Sequence, residues 1–233
     1  MAKRLLIIGL DGADLRVIRK MAQKVSMPNL GLLMQEGSCL EVESVLPVNS
    51  ASAWVSFMTG KYPCRHGIYD FIRKIPGKYE LDVIDSFGIK EDAIWDVLDR
   101  HGRKSVFVNF PVTYPPKEIN GIMISGMLSP GETSAFVYPA VLKKELEDNI
   151  GRYLIDVAPL PYLKKNKIKE FISDLFIMTE KRRQAALYCM RKAQWDFSMV
   201  LFSGLDRMQH VLWDYLDGEV RLSGDNGLSL IHI

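Results

Sequence analysis

Residues 47–67, with the sequence PVNSASAWVSFMTGKYPCRHG, contain the feature around which the rest of the chain is arranged. A strand exit at residues 45–47 leads into an apolar helix, and the start of that helix carries the hydroxyl groups of Ser50 and Ser52. Backbone N–H groups are unpaired at the start of a helix, and together with the helix dipole they favour negative charge. The stretch therefore predicts a place that can hold a phosphate group.

The sequence leaves two roles open for Ser50. A serine at the start of a helix is a common N-cap, and Ser52 then belongs to the first turn. The alternative is a nucleophile, but the chain lacks the Gly-x-Ser-x-Gly turn of serine hydrolases and places no histidine base beside Ser50. A serine without a base needs a metal ion that favours its ionised form.

The segments on either side of this stretch alternate between strands and helices. Apolar strands are predicted at residues 4–9, 39–46, 104–110, 122–125 and 195–202, the first of them buried on both faces. Helices are predicted at residues 14–20, 27–37, 91–101, 139–149, 167–192 and 206–215, and residues 68–89 are predicted to be irregular. This alternation is typical of an α/β fold with a mostly parallel sheet and helices on both faces.

The composition excludes several classes of partner. A net charge of +2 over 233 residues gives no strong field for a nucleic acid polymer or a membrane surface. No apolar run approaches the ~20 residues of a membrane span. Cys39, Cys64 and Cys189 have no metal-binding spacing, which indicates reduced thiols and a cytoplasmic location. Nothing in the composition indicates the oligomeric state.

Three further polar residues follow predicted strands. Asp11 comes after the first strand, at the edge where open α/β sheets place their sites. Asp206 and His210 follow the strand at 195–202, and residues four apart share one face of a helix. A carboxylate and an imidazole are suitable ligands for Zn²⁺ or Mn²⁺. The competing roles are structural: a turn at Asp11, an N-cap at Asp206 and a surface position for His210.

The remaining histidines receive no catalytic role. His66 precedes Gly67 in a turn, and we expect its ring to bond to the backbone there. His101 lies at a predicted helix C-terminus, and His232 lies in the last six residues.

Taken in order, the motifs resemble the alkaline phosphatase superfamily, on its type I phosphodiesterase/nucleotide pyrophosphatase side. Within it, the chain is most similar to the prokaryotic phosphohydrolase/phosphomutase group. The resemblance extends over residues 4–215. The segments that carry it are residues 8–12, 28–30, 47–71, 95–98, 109–115 and 206–210.

The resemblance implies roles for four residues. The family's nucleophile lies nine positions before the Thr of a Thr-Gly pair, which is Thr59 here, so Ser50 is the implied nucleophile. Asp11 matches the first metal-binding Asp, and Asp206 with His210 matches the pair that binds a second metal. The implied chemistry is hydrolysis of a small phosphate ester, through a phosphoseryl-type intermediate and two divalent ions, Zn²⁺ or alternatively Mn²⁺. No other cofactor is implied.

The chain departs from the family in two places. Nucleotide pyrophosphatases carry Asn three residues after the nucleophile, and Ala53 stands here. The family's later Asp-His-Gly motif and last His are absent before Gly227. We therefore expect residues 1–227 to be the N-terminal part of one catalytic domain, with excursions in residues 68–163 that shape its pocket. Residues 228–233, LSLIHI, are expected to be a non-native tail.

Several alternatives remain open from the sequence. Within the superfamily they are a phosphoglycerate-mutase-like phosphomutase and a phosphoethanolamine transferase. From a different class comes a non-catalytic domain that binds phosphate or a nucleotide at the same helix start. The chain of 233 residues by itself could also be an inactive fragment.

Overall fold

The computed structural model describes residues 4–23 and 27–216, and its strands lie in one main sheet and one hairpin. The strands are β1 (Leu5–Leu10), β2 (Ile72–Lys74), β3 (Leu81–Val83), β4 (Ser105–Phe110), β5 (Gly121–Ser125), β6 (Val137–Tyr138) and β7 (Phe197–Phe202). The main sheet has the order β1-β7-β4-β5-β6. Its first four strands are parallel, and β6 is antiparallel to β5. The predicted α/β architecture is confirmed.

Helices connect the strands on both faces of this sheet. They are α1 (Leu15–Gln23), α2 (Pro28–Glu36), α3 (Ser50–Thr59), α4 (Pro63–His66), α5 (Ile94–Arg100), α6 (Val141–Ile150), α7 (Leu160–Leu163), α8 (Ile168–Lys192) and α9 (Gly204–Leu216). Alternate residues of β4 enter opposite cores, as the two-residue period of a strand requires. Phe107 packs in the core that includes residues of α3 and α5, whereas Val106 and Val108 pack with residues of α6 and α8.

The predicted strand at residues 39–46 is wrong. Within the described residues this segment forms no strand and makes no backbone hydrogen bond to another segment. Leu40 and Val42 are 83% and 90% exposed. Their alternation with polar residues fits a strand, but a strand also requires a neighbouring strand to bond its N–H and C=O groups. No described strand lies beside this segment.

The environment of β1 also differs from the prediction. The strand exists, but among the described strands it lies at the edge of the sheet and pairs only with β7. Leu5 and Ile8 are consequently 54% and 57% exposed instead of buried. The hairpin β2–β3 was missed, because residues 68–89 were predicted to be irregular.

The cysteines agree with the prediction from their spacing. All three cysteines are free thiols: Cys39 and Cys64 are exposed and Cys189 is buried. Burial raises the pKa of the Cys189 thiol to about 12. None of the helices formed by residues 4–23 and 27–216 combines the length and the apolar character needed to cross a membrane.

A fully buried arginine lies below the carboxyl edge of the sheet. Arg182, in α8, donates from Nη1 to the Leu201 carbonyl oxygen at 3.2 Å and to Ser203 Oγ at 3.0 Å. Its Nη2 donates to the Ile155 carbonyl oxygen at 2.8 Å. With its amide oxygen turned toward Arg182, Asn109 accepts from Nη2 at 2.7 Å and donates to Tyr153 Oη at 2.9 Å. One guanidinium group thus connects α8 to the ends of β4 and β7.

We predict that Arg182→Met strongly destabilises the protein. The change leaves several buried acceptors without a donor, and each such group costs about 1–3 kcal/mol, so the free energy of unfolding should fall by about 3 kcal/mol or more. Arg183→Met is the matched control, because Arg183 is exposed and bonds only Glu180. Urea unfolding of the two variants measures the difference. Equal, small losses in both would contradict the role given to Arg182.

Candidate active site

The loop after β1 and the start of α9 meet at the carboxyl edge of the sheet. Gly12 has a φ of 70°, and a Cβ on it would lie 2.7 Å from the Asp206 Cα, so only glycine allows this approach. Gln209 Nε2 donates to the Gly12 carbonyl oxygen at 2.6 Å. The loop after β1 is therefore in direct contact with α9, which follows the adjacent parallel strand β7.

Ser50 is not the N-cap of its helix. Asn49 is the cap: its side-chain oxygen accepts from the Ser52 N–H at 2.9 Å, and its Nδ2 donates to the Tyr69 carbonyl oxygen at 2.8 Å. Ser50 is consequently the first helical residue, and its hydroxyl donates to Asp11 Oδ2 at 3.0 Å. The structural role that competed with a nucleophilic one is thus taken by the neighbouring residue.

The two serines of this helix start have different environments. The Ser52 hydroxyl is fully buried and bonds the Pro47 and Asn49 carbonyl oxygens at 2.6 and 3.2 Å. It is therefore held by the backbone, whereas the half-buried Ser50 hydroxyl faces a carboxylate.

Trp54 is a second contact of Asp11 that the sequence reasoning missed. Its Nε1 donates to Asp11 Oδ1 at 3.1 Å. A Cβ on Gly9 would lie 2.8 Å from the indole ring, so the glycine in β1 makes room for it. Ser50 and Trp54 are four residues apart and lie on one face of α3. This four-residue spacing is the feature of the sequence that could have indicated that Trp54 lies beside Ser50 and Asp11.

The Asp11 carboxylate lies in an electrostatically unfavourable place. It is 8% exposed. Burial raises its pKa, and the negative charge of Asp206 raises it further, while the hydrogen bonds from Trp54 and Ser50 and the charge of Arg207 lower it. The net direction is upward. A carboxylate in this position gains from any cation that binds beside it.

Asp206 and His210 lie on one face of α9, as predicted from their spacing. Helix α9 begins at Gly204, so Asp206 lies within its first turn. Asp206 is therefore not the N-cap, which was the structural role open to it from the sequence. His210 Nε2 lies 3.4 Å from Asp206 Oδ1, and the two side chains are 22% and 18% exposed. They are accessible enough to contact a ligand.

The four predicted metal ligands form two neighbouring pairs, Asp11 with Ser50 and Asp206 with His210. Carboxylate, imidazole and hydroxyl donors are chemically suited to Zn²⁺ or Mn²⁺. Within residues 4–23 and 27–216, however, no three His, Cys, Asp or Glu side chains are grouped closely enough to hold a metal ion. Each pair therefore supplies part of a ligand set, and the metal role of these residues stays a prediction.

His66 has the structural role expected from its sequence context. It is fully buried, and its Nδ1 accepts from the Ile68 N–H at 3.1 Å. The proton therefore lies on Nε2, which is 2.8 Å from Ser56 Oγ and donates to it. This bond connects α3 to the last residue of α4. Burial lowers the pKa of His66, although the charge of Glu91 raises it slightly.

We predict a loss of stability in mild acid that depends on His66. Because its pKa is lower in the folded state than the ordinary value of about 6.5, the unfolded chain binds a proton more readily. The contribution of neutral His66 is therefore fully present above that pH and is lost as the pH falls below it. His66→Gln cannot titrate, so it should lose less stability than the wild type between about pH 7.5 and pH 5.

Urea unfolding at several pH values measures this difference. His101→Gln is the control, because His101 is exposed and bonds only the Val97 carbonyl oxygen. We expect its pH profile to follow the wild type. If the free energy of unfolding changes with pH equally in His66→Gln and the wild type, then unfolding does not change the protonation of His66 and the prediction is wrong.

The sequence matches a known family, and the fold is similar to known structures. A family model for type I phosphodiesterase / nucleotide pyrophosphatase matches residues 5–222. The fold is similar to phosphonoacetate hydrolase from Sinorhizobium meliloti 1021 in complex with phosphonoacetate, with a TM-score of 0.62 and 15% identity. The complex with phosphonoformate gives a TM-score of 0.61 and 16% identity. Murine ectonucleotide pyrophosphatase / phosphodiesterase 5 gives 0.48 and 15%, over 89% of this chain and 45% of that one.

The two bacterial alignments cover 86% of this chain and 46% of the other, so the chain spans about half the length of these structures. At such low identity they establish the fold and not the chemistry. No curated protein gives a significant match.

Proposed function

The chain belongs to the type I phosphodiesterase / nucleotide pyrophosphatase family, and we propose that it contributes the nucleophile of a metal-dependent phosphohydrolase that acts on phosphodiesters. The observation that carries the proposal is the hydrogen bond from the Ser50 hydroxyl to Asp11. Because Asn49 caps α3, Ser50 has no capping duty, and its oxygen is held beside a carboxylate at a helix start.

The chain's own groups suit attack on phosphorus. The Ser50 oxygen forms a bond to phosphorus, its proton leaves along the hydrogen bond to Asp11, and the bond to one of the two ester oxygens breaks, so that Ser50 carries a phosphoryl group that keeps the other ester. The Ser52 and Ala53 N–H groups already bond Asn49, so the N–H group of the half-buried Ser50 is the candidate donor to a phosphoryl oxygen at the helix start. Water then cleaves the bond between phosphorus and the Ser50 oxygen, which releases a phosphate monoester and regenerates the serine hydroxyl.

The proposal includes two divalent ions, Zn²⁺ or alternatively Mn²⁺. Asp11 and Ser50 would hold one ion, and Asp206 and His210 would hold the other. Such ions favour the ionised form of the serine hydroxyl and neutralise the phosphoryl oxygens. Further ligands are required from outside the described residues, because the described donors stop at two pairs.

Specificity within the family is also proposed. Ala53 stands where nucleotide pyrophosphatases carry Asn, so we favour a small phosphodiester over a nucleotide. A phosphomutase or a phosphoethanolamine transferase would use the same serine and pass the phosphoryl group to a hydroxyl other than water. A cytoplasmic location belongs to this proposal, on the basis of the three unpaired cysteines.

We predict that Ser50→Ala abolishes turnover while Ser52→Ala does not. With Zn²⁺ or Mn²⁺ in excess and an aryl phosphodiester as substrate, loss of the nucleophile should lower the rate at least about 10³-fold. Ser52→Ala is the matched control, because that hydroxyl is buried and bonded to the backbone. Acid-quenched mass spectrometry should find a phosphoryl group that still carries the second ester of the substrate on Ser50 in the wild type.

The possible outcomes separate the candidate functions. Full metal-dependent turnover by Ser50→Ala would overturn the assignment of the nucleophile. Absence of turnover and of labelling in the wild type would overturn catalysis by this chain. Calorimetry with inorganic phosphate, with and without a chelator, then tests the alternative: binding that persists with the chelator indicates a phosphate-binding domain.

A further inference from the structure

Arg207 lies next in sequence to Asp206, and its side chain is only 6% exposed. Two of its nitrogen atoms bond one carboxylate: Nε lies 3.1 Å from Asp156 Oδ1 and Nη2 lies 2.6 Å from Asp156 Oδ2. Such a two-bond contact fixes the plane of a guanidinium group as well as its position. Arg207 is therefore immobilised by a residue 51 positions away in the sequence.

The third nitrogen of Arg207 points toward Asp206 without bonding it. Nη1 lies 3.9 Å from Asp206 Oδ2, which is beyond a hydrogen bond and within the range of an ion pair. The charge of Arg207 also acts on Asp11. The guanidinium group is thus close enough to influence both site carboxylates, but its hydrogen bonds are committed to Asp156.

Asp156 is itself held in place. The preceding residue, Ile155, gives its carbonyl oxygen to the buried guanidinium of Arg182. The side chain of Asp156 is 21% exposed and lines a cavity of about 590 Å³, together with Tyr162 and Asp174. Asp156 therefore lies between this cavity and Arg207. The backbone before it is held by Arg182, and its side chain is held by Arg207.

We propose that Asp156 is a positioning residue that keeps Arg207 away from Asp206, so that the Asp206 carboxylate stays open to a divalent cation. Without Asp156, the buried guanidinium would satisfy its donors at the nearest carboxylate, which is Asp206. Arg207 would then compete directly with a cation for that carboxylate. The proposal rests on the proposed function in one respect, namely that Asp206 binds a cation.

The test compares divalent-ion binding in four forms of the whole chain: wild type, Asp156→Asn, the double variant Asp156→Asn/Arg207→Met, and Asp174→Asn. We expect Asp156→Asn to weaken Mn²⁺ binding roughly tenfold by calorimetry, as loss of a residue that supports a metal ligand does. The double variant should recover most of that loss, because the competing guanidinium is gone. Asp174→Asn, which removes a charge from the same cavity and bonds only Tyr162, should bind like the wild type.

The rescue distinguishes positioning from a merely structural role. If Asp156 only stabilises the fold, the double variant binds no better than Asp156→Asn, and the proposal is overturned. Thermal melting of each form confirms that the compared proteins are folded.

A second measurement does not depend on bound metal. Nitrogen NMR of the arginine side chain, or a crystal structure of Asp156→Asn, should show Arg207 bonded to Asp206. If Arg207 keeps its distance from Asp206 there, the proposal fails even where metal binding succeeds. If the wild type binds no Mn²⁺ but Arg207 moves as expected, the metal-dependent function fails and the positioning of Arg207 stands.

Discussion

The buried charge of Arg182 is the constraint on which the carboxyl edge of the sheet depends. A guanidinium group removed from water needs acceptors for its donors, and without them its burial would be very costly. Asn109 meets part of this requirement from the end of β4, where its φ of 71° interrupts the register with β5. Leu201, Ile155 and Ser203 supply further acceptors, and the last two immediately precede Asp156 and α9. The guanidinium group of Arg182 thus holds the residues that lead into the site, although Arg182 is not itself part of the site.

A second constraint separates the two hydroxyl groups of α3. A helix start needs an acceptor for its first N–H groups, and any of Asn49, Ser50 and Ser52 has suitable chemistry. Asn49 provides it, and its own amide is held by Tyr69, so the cap does not depend on either serine. Ser50 is left with the Asp11 carboxylate as its partner. The cap and the contact with Asp11 are thus supplied by different residues, so the helix start does not depend on the Ser50 hydroxyl.

Local pattern predicted the elements well and their surroundings less well. Helix α8 was predicted at 167–192 and begins at Ile168, because its amphipathic period is long and uninterrupted. The exposure of β1 and the missing pairing of residues 39–46 depend on which strands lie next to them, and no local pattern encodes that. In the site, too, local contacts could be predicted and contacts between distant segments could not. The four-residue spacing indicated the contact between Asp206 and His210, whereas the pair of Arg207 with Asp156 joins distant segments and left no signal.

The charges at the sheet edge support the proposal that cations bind there. Three carboxylates, those of Asp11, Asp156 and Asp206, lie around the single guanidinium of Arg207, and Asp156 occupies its hydrogen bonds. Asp11 is left buried, with its pKa raised by that burial and by Asp206. Folding alone gives no reason to keep an ionised carboxylate in such a place, since a neutral side chain would avoid the cost. The two ions of the proposal, one at Asp11 and one at Asp206, would neutralise these carboxylates and so convert that cost into binding free energy.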